Sequence, residues 1–351
     1  MTGTALFHGR HRAAMKRALA VMMGVSAATA AREEAAAPVP PSAAWVTIST
    51  EELRARFDTI WAVSDVHGRL RELDQLLLAA NLVTHDGAGN VIWNAAQRRQ
   101  LFVAVGDYID GGRDGVGVVL RLDHLSAQAA AAGSRVIALL GNHDAAFLAD
   151  PRSADHRLLS SAHRMAAELE LSSRPTAEQL SDSEFGRFLR TLPVAAFIGS
   201  WMFAHAGYLD AADDRAALQA YFAGLASSWP QAGSERYRAL LEPRSIVSYH
   251  DWWKGRSRRS RMRVRLAALG LDGLVFGHDP DALGFRGAIA MDRDGWFIKL
   301  DTGLKAGRSR GMLLRCDVAR LVHGSRLAMI GDGRANCDAL TPDGTLREVP
   351  R

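Results

Sequence analysis

The sequence predicts an α/β fold, and three observations lead to that prediction. Short apolar runs rich in β-branched or large side chains indicate buried strands at residues 60–63, 101–105, 136–140, 201–203 and 274–276. Helical patterns separate several of these runs, for example over residues 70–80 and 116–132. A polar residue with a glycine nearby follows each run. Alternation of strand and helix is typical of α/β architecture.

The polar residues that end the runs belong to five short strings. They are Ser64-Asp65-Val66-His67-Gly68, Gly106-Asp107-Tyr108-Ile109-Asp110-Gly111, Gly141-Asn142-His143-Asp144, Ala204-His205-Ala206-Gly207 and Gly277-His278-Asp279. In open α/β sheets a ligand binds beyond the carboxyl ends of the strands. We therefore expect the five strings to meet at one site, although they are far apart in sequence.

The order Asp-x-His, Gly-Asp-x-x-Asp, Gly-Asn-His-Asp, His, Gly-His resembles the calcineurin-like metallophosphoesterases, from about Asp65 to about Gly303. The chain is most similar to the bacterial Shewanella-like phosphatases of the phosphoprotein-phosphatase branch. The lone Gly-His at 277–278, a helical insert after Gly-Asn-His-Asp and the string Asp301-Thr302-Gly303 favour that branch. The resemblance implies a four-layer α/β/β/α sandwich with a helical cap insert over residues 145–192.

The resemblance also implies a site for two divalent metal ions. It assigns the first ion to Asp65, His67 and Asp107, and the second to Asp107, Asn142, His205 and His278, with Asp107 shared. These oxygen and imidazole ligands suit manganese, iron and zinc alike. Many family members have a further histidine where this chain has Pro280, so we expect the first ion to keep more water.

A catalytic pair follows from the same resemblance. A hydroxide held between the two metals would attack the phosphorus, and His143 would protonate the leaving-group oxygen. Asp110 would orient His143, because a carboxylate bound to one imidazole nitrogen fixes the tautomer and raises the basicity of the other. No protein nucleophile is needed, so we expect no phosphoenzyme.

The chain departs from the phosphoprotein-phosphatase pattern directly after Asp110. That pattern has Arg-Gly there, and its arginine binds two phosphate oxygens, whereas this chain has Gly111-Gly112 and then Arg113. Arg113 is therefore a candidate phosphate ligand. Lys254 and Arg256, which follow a tryptophan pair between the two late histidines, are two more, with Arg256 slightly favoured because its guanidinium is a planar fork. Residues 303–309 lack the spacing of a phosphate-binding loop, so they yield no predicted site.

Three functions remain open at this point. The first is a phosphomonoesterase that acts on phosphoproteins, phosphopeptides or small phosphoesters. The second uses the same metals to hydrolyse nucleotides, dinucleoside polyphosphates or phosphodiesters, and the absent Arg-Gly pair favours it. The third is an exported protein that binds metal or phosphate without turnover.

The N-terminus predicts export. Four basic residues within positions 10–17 precede the apolar segment 18–28 and a small-residue string at 28–30, so residues 1–30 are interpreted as a secretory signal peptide. An uncleaved anchor or an alanine-rich tail is the alternative. Cleavage would lower the formal net charge from +5 to about +1, so we expect no nucleic-acid partner. The mature protein would be periplasmic or secreted, without a stable membrane span.

Composition divides the remaining chain into three parts. We expect a disordered lead-in over residues 31–50, the catalytic domain over 51–323 and an irregular C-terminal tail over 324–351. Runs at 288–291, 296–300 and 312–316 predict antiparallel strands that complete a second sheet. A disulfide between Cys316 and Cys337 and two unpaired cysteines are equally compatible with the sequence. Six arginines between 256 and 265 predict a solvated helix face, with an anion funnel as the alternative.

Overall fold

A computed structural model describes residues 44–209, 214–229, 233–307, 309–319 and 337–351. The predicted signal peptide lies outside these residues, as does most of the predicted lead-in. Strand β1 (Trp45–Ile48) and helix α1 (Thr50–Arg56) already occupy the end of that predicted lead-in. The lead-in prediction is therefore wrong for residues 45–50.

The first sheet contains the strands that precede three of the five strings. Its strand order is β14-β13-β12-β2-β5-β6, and β2, β5 and β6 run parallel. The bounds are β2 (Thr59–Val63), β5 (Gln100–Val105), β6 (Arg135–Leu139), β12 (Leu313–Asp317), β13 (Cys337–Leu340) and β14 (Leu346–Glu348). The last three strands pair antiparallel.

The second sheet contains the strands that precede the two late histidines. Its order is β1-β7-β8-β9-β11-β10, with β8, β9 and β11 parallel. The bounds are β7 (Ala195–Ile198), β8 (Trp201–Ala204), β9 (Gly273–Phe276), β10 (Ala290–Met291) and β11 (Phe297–Lys299). A separate hairpin consists of β3 (Val83–His85) and β4 (Val91–Trp93).

Alternating side chains bury both faces of each sheet. In β5, Leu101 and Val103 join an apolar cluster shared with the second sheet, whereas Phe102 joins the cluster beneath the helices. In β8, Phe203 faces the shared cluster and Met202 the helices. Because strand side chains alternate between faces, this division places one sheet on the other and helices outside both. The predicted four-layer sandwich is confirmed.

The described helices cover the two sheets and fill the insert. They are α1, α2 (Leu70–Ala79), α3 (Gly115–Ala131), α4 (Asn142–Ala149), α5 (His156–Arg164), α6 (Ala177–Asp182), α7 (Glu184–Thr191), α8 (Arg215–Ser228), α9 (Glu235–Leu240) and α10 (Arg256–Ala268). Helices α4 to α7 and a short 3-10 turn make up most of residues 145–192, as predicted. None of the described helices is both long and apolar enough to cross a bilayer.

The C-terminal segment differs from its prediction in two ways. Residues 337–348 form β13 and β14, so the predicted irregular tail is wrong there. Strand β12 pairs with β2, which places it in the first sheet instead of the second. Cys316 and Cys337 are register partners on adjacent strands, and a disulfide joins them. Long-range pairing of this kind leaves no local signal in the sequence.

Candidate active site

The five polar strings meet at the carboxyl ends of their strands. Six side chains from them form what we call the donor cluster: Asp65, His67, Asp107, Asn142, His205 and His278. Four of the six are buried, with 2% of Asp65, 2% of Asp107 and none of His205 exposed, and Asn142 and His278 are half-buried. The parallel strands bring these side chains together because their carboxyl ends lie at one edge of each sheet.

The backbone at these strand ends turns through an uncommon conformation. Asp65, His67, Asp107, Asp110 and His278 all have positive φ, between 46° and 71°. Aspartate and histidine tolerate this left-handed region better than most non-glycine residues. The turn ends each strand abruptly and directs the polar side chain into the site.

Two glycines allow the strand-end loops to approach closely. A Cβ on Gly141 would lie 2.2 Å from Asp107 Oδ1, and a Cβ on Gly277 would lie 2.2 Å from Asp65 Oδ2. Any larger residue would push a carboxylate out of place. The Gly-Asn-His-Asp and Gly-His strings therefore need their glycines for packing.

The tautomers of two histidines leave one nitrogen available to a ligand. His67 Nδ1 donates to the Ile109 carbonyl at 2.9 Å, and His205 Nδ1 donates to the Val105 carbonyl at 2.9 Å. Each Nε2 is then directed at Asp107 Oδ2, at 3.4 Å from His67 and 3.3 Å from His205. A backbone acceptor that holds one imidazole nitrogen is the usual support of a metal-binding histidine.

The spacing of the remaining donors fits adjacent ligands of one metal ion. Asn142 Oδ1 lies 3.0 Å from His205 Nε2 and 2.9 Å from His278 Nδ1, and the two nitrogens are 3.1 Å apart. Neighbouring ligands on bonds of ~2.1 Å are separated by roughly 3.0 Å in octahedral and ~3.4 Å in tetrahedral geometry. The residues present therefore fit a divalent metal on this side of the cluster.

A second group of potential ligands shares Asp107 with the first. His67, Asp107 and His143 offer atoms close enough to hold one ion, as do Asp107, His205 and His278. Asp65 Oδ1 lies 3.8 Å from His67 Nε2, and its other oxygen accepts from the His278 backbone N–H at 2.9 Å. Asp65 thus connects the loops of the two sheets.

The electrostatics of the cluster favour a cation. Burial alone would raise the pKa of Asp107, but His205, His67 and His143 together lower it well below its ordinary value. Burial opposes a charged His205, yet the Asp107 and Asp65 carboxylates raise its pKa to about 10. Burial and His205 lower the pKa of His278 to about 3. The two carboxylates therefore stabilise positive charge here, which a divalent ion would supply.

His143 and Asp110 form the predicted pair at the edge of the cluster. His143 Nδ1 lies 2.6 Å from Asp110 Oδ2, and the His143 backbone N–H donates to Asp107 Oδ1 at 2.9 Å. Burial lowers the pKa of His143, but the hydrogen bond to Asp110 and the charge of Asp107 outweigh it, so the pKa is raised. The His143 side chain is 28% exposed, so its Nε2 lies at an accessible opening.

The sequence analysis assigned no role to Asp144, yet its side chain joins the loop of the Gly-Asp-x-x-Asp string to that of the Gly-Asn-His-Asp string. Its carboxylate accepts backbone N–H groups from Asp107 at 2.9 Å, Tyr108 at 3.0 Å and Gly141 at 3.0 Å. Burial raises its pKa to about 7. Its position directly after His143 in Gly-Asn-His-Asp is the signal that could have revealed this role.

Lys305 is a second residue that the sequence did not single out. Its Nζ lies 2.7 Å from His143 Nε2. The residue belongs to the 303–309 segment, which was considered only as a phosphate-binding loop and rejected. No local pattern marks it, because the contact joins residues 162 positions apart.

The three predicted substrate cations lie at different places. Arg113 is exposed and lines a cavity of about 700 Å³ beside the glycines at 111 and 112. Arg69, Arg71, Arg157 and Arg164 line the same cavity. We call these five arginines, together with Lys305, the basic rim.

The other two cations lie on the segment that enters α10. Lys254 Nζ pairs with Asp251 Oδ1 at 2.6 Å, and Arg256 lines a different cavity with Arg263 and Asp292. Tryptophans 252 and 253 anchor the segment, because their indole N–H groups donate to the Ala206 carbonyl at 2.7 Å and to Asp279 at 3.1 Å.

The fold and the converging donors define a class, the α/β sandwich hydrolases with a potential metal centre. The family model of the calcineurin-like phosphoesterases matches residues 58–282. The chain belongs to the calcineurin-like phosphoesterase family. The matched range contains every residue of the donor cluster.

Solved structures with a similar fold include two kinds of phosphatase. The cold-active protein-tyrosine phosphatase of a psychrophilic Shewanella species has a TM-score of 0.61 at 19% identity, over 89% of this chain and 83% of that one. A protein serine/threonine phosphatase from Saccharomyces cerevisiae, described as similar to human phosphatase PP5, has a TM-score of 0.53 at 13% identity, over 87% and 84%. At these sequence identities, the similarity shows a shared fold only. None of the curated proteins matches the chain.

Proposed function

We propose that the protein is an exported, metal-dependent phosphomonoesterase that acts on phosphoproteins, phosphopeptides or small phosphoesters. One observation carries the proposal: the hydrogen-bonded pair His143–Asp110 lies at the edge of the donor cluster, whose groups of potential metal ligands share Asp107. A proton donor at the edge of a metal centre is what cleavage of a phosphate ester requires. The phosphatase folds among the similar structures support this class of substrate.

The donor cluster would hold two divalent ions, of manganese, iron or zinc. Asp65, His67 and Asp107 would hold one, and Asp107, Asn142, His205 and His278 the other. Two such ions, when bound, polarise a phosphate and activate water for attack. Burial of the cluster supports tight binding, because water competes poorly for buried ligands.

His143 would deliver the proton to the leaving oxygen from Nε2. Asp110 holds Nδ1, so the ring cannot turn and its second nitrogen stays directed at the opening. Asp110 and Asp107 raise the pKa of His143 although burial and the Lys305 ammonium lower it, so Nε2 can carry a proton near neutral pH once Lys305 no longer donates to it. Asp107 also fixes the His143 backbone, so the proton donor and the metal ligands keep a constant separation.

A second candidate function is hydrolysis of nucleotides, dinucleoside polyphosphates or phosphodiesters at the same site. The arginine-lined cavity favours it, because five guanidinium groups beside the site can bind a further phosphate group. Two of its lining residues, the glycines at 111 and 112, follow Asp110 directly. A long anionic substrate could therefore extend from the metal centre into this cavity.

A substrate panel tests both candidates and the third, non-catalytic reading. Protein stripped with a chelator would be reloaded separately with Mn²⁺, Fe²⁺ or Zn²⁺ and given an aryl phosphate, a bis-aryl phosphodiester, ATP, a dinucleoside polyphosphate, and phosphotyrosine and phosphoserine peptides. We expect the monoesters to have the highest kcat/KM. Faster cleavage of diesters or nucleotides would favour the second candidate, and no turnover with any metal would favour a binding protein.

Export is part of the proposal. The disulfide between Cys316 and Cys337 supports it, since disulfides persist mainly in oxidising compartments. Cell fractionation and N-terminal sequencing of the cell-derived protein test it directly. Recovery from the cytoplasm with Met1 intact would contradict it.

A further inference from the structure

The space beside Gly111 is occupied by a lysine from a distant loop. A Cβ on Gly111 would lie 2.9 Å from Lys305 Cγ and 3.5 Å from His67 Cβ. Gly111 also has φ +95°, a conformation that other residues adopt only with strain. A large side chain at position 111 and the Lys305 side chain would therefore compete for the same place.

We propose that Lys305 is the residue that binds the substrate phosphate, in the space that Gly111 leaves open. This inference rests on the proposed function and names a binding residue that it lacks. The ammonium of Lys305 is 2.7 Å from His143 Nε2, the atom assigned to proton delivery. A phosphate whose leaving oxygen meets His143 brings its other oxygens within reach of Lys305.

The loop that carries Lys305 is fixed where it passes the site. It connects β11 of the second sheet to β12 of the first. At its start the buried Asp301 accepts the Gly303 backbone N–H at 2.8 Å, and Leu304 is 2% exposed. The Lys305 carbonyl accepts from Arg69 Nη2 at 3.3 Å. Contacts at residues 303 to 305 thus hold the backbone, whereas the ammonium lies at the end of a long exposed side chain that can turn from His143 to a phosphate oxygen.

Lys305 differs from the other exposed lysine near the site. Lys254 is held by Asp251 at 2.6 Å, an acidic residue three positions away, which neutralises much of its charge. The described partner of the Lys305 ammonium is an imidazole nitrogen, which accepts a hydrogen bond without cancelling the charge. A phosphate oxygen is a better acceptor than imidazole because the hydrogen bond is then assisted by both charges.

The test measures phosphate binding apart from turnover. Metal-loaded wild type, Lys305→Met and Lys305→Arg would be titrated with inorganic phosphate by calorimetry, with metal content and melting temperature recorded for each. Methionine keeps the side-chain length without the charge. Arg152→Met is the matched control, because Arg152 is exposed and bonds to Asp150 on the surface.

We expect Lys305→Met to weaken phosphate binding by about 10- to 100-fold, with full metal content. Arginine should restore most of the affinity.

Several outcomes would overturn the proposal. Phosphate affinity unchanged in Lys305→Met would do so, as would a wild type that binds no phosphate. A lower kcat with unchanged phosphate affinity would show that Lys305 acts only through His143. Failure of the proposed function would give a different result from failure of the Lys305 proposal. The wild type would then bind phosphate through Lys305 but hydrolyse no monoester.

Discussion

The donor cluster and the basic rim adjoin each other but are built in opposite ways. Most of the cluster is buried, and strand-end backbone holds its imidazoles and carboxylates, as in the bond from His205 to the Val105 carbonyl. The rim is formed by long side chains from α2, α5 and connecting loops, all exposed except the half-buried Arg69. Arg157 and Arg164, for example, donate to the carbonyls of Gly111 and Arg113.

The difference indicates where chemistry and where substrate choice are decided. Buried charged groups interact strongly and are costly to remove singly, whereas exposed charges are screened by water and salt. Substitutions in the cluster should therefore abolish function, and those in the rim should change affinity by small factors. The following predictions test that contrast.

Asp107→Asn should have the largest effect. Both potential metal sites share this carboxylate, and an amide supplies neither its charge nor two equivalent oxygens. We expect loss of most bound metal and a fall in turnover of at least ~10³-fold, measured by elemental analysis and aryl phosphate hydrolysis. Asp58→Asn, at an exposed ion pair with Arg99, is the control. Metal-dependent hydrolysis retained in Asp107→Asn would contradict the shared assignment.

His143→Asn should separate metal binding from proton delivery. We expect normal metal content with turnover lower by about 10²- to 10⁴-fold, because the proton donor is lost. The loss should shrink for aryl phosphates with strongly acidic leaving groups, which need no proton. Asp110→Asn should give a smaller loss in the same direction. Equal losses for good and poor leaving groups would argue against general-acid catalysis.

The variant Lys299→Met tests whether a buried lysine stabilises the fold, in contrast to the exposed Lys305, which is proposed to bind substrate. Lys299 is 0% exposed, and its ammonium donates to the Pro280 carbonyl at 2.8 Å and to the Phe285 carbonyl, both in the loop after His278. Burial lowers its pKa to about 8. We expect the free energy of unfolding to fall by about 1–3 kcal/mol, because two carbonyls lose their partner. Denaturant titration measures it, and stability equal to wild type would refute this role.

Arg113→Ala should have the smallest effect. The side chain is exposed in a cavity that four other arginines line, so its charge is screened and partly redundant. We expect KM to rise two- to fivefold at low salt, in line with the ~0.2–1 kcal/mol of an exposed charge, and the rise to vanish at high salt. Unchanged KM at low salt would show that Arg113 makes no substrate contact.

The strand pattern placed the donor cluster because each of its residues follows a recognisable strand, and the family resemblance indicated which of the polar residues belong to it. The apolar runs at 101–105 and 136–140 match β5 and β6 to within a residue, and the polar residues after them stand where parallel strands end. Patterns of this kind are local, since burial of a strand fixes its composition. The α/β class and the convergence of five strings follow from those patterns alone.

Tertiary structure decided what depends on contacts between distant segments. Nothing near residue 305 predicts its approach to His143, and nothing near residue 313 predicts its pairing with β2. The joining of Cys316 to Cys337 was likewise open until β12 and β13 were placed side by side. The sequence by itself thus determined where the buried strands end, because side-chain periodicity encodes burial, and the family resemblance predicted which polar residues there form the site. Only the folded chain decided which cation fills the space beside Gly111, because that depends on how a loop crosses from one sheet to the other.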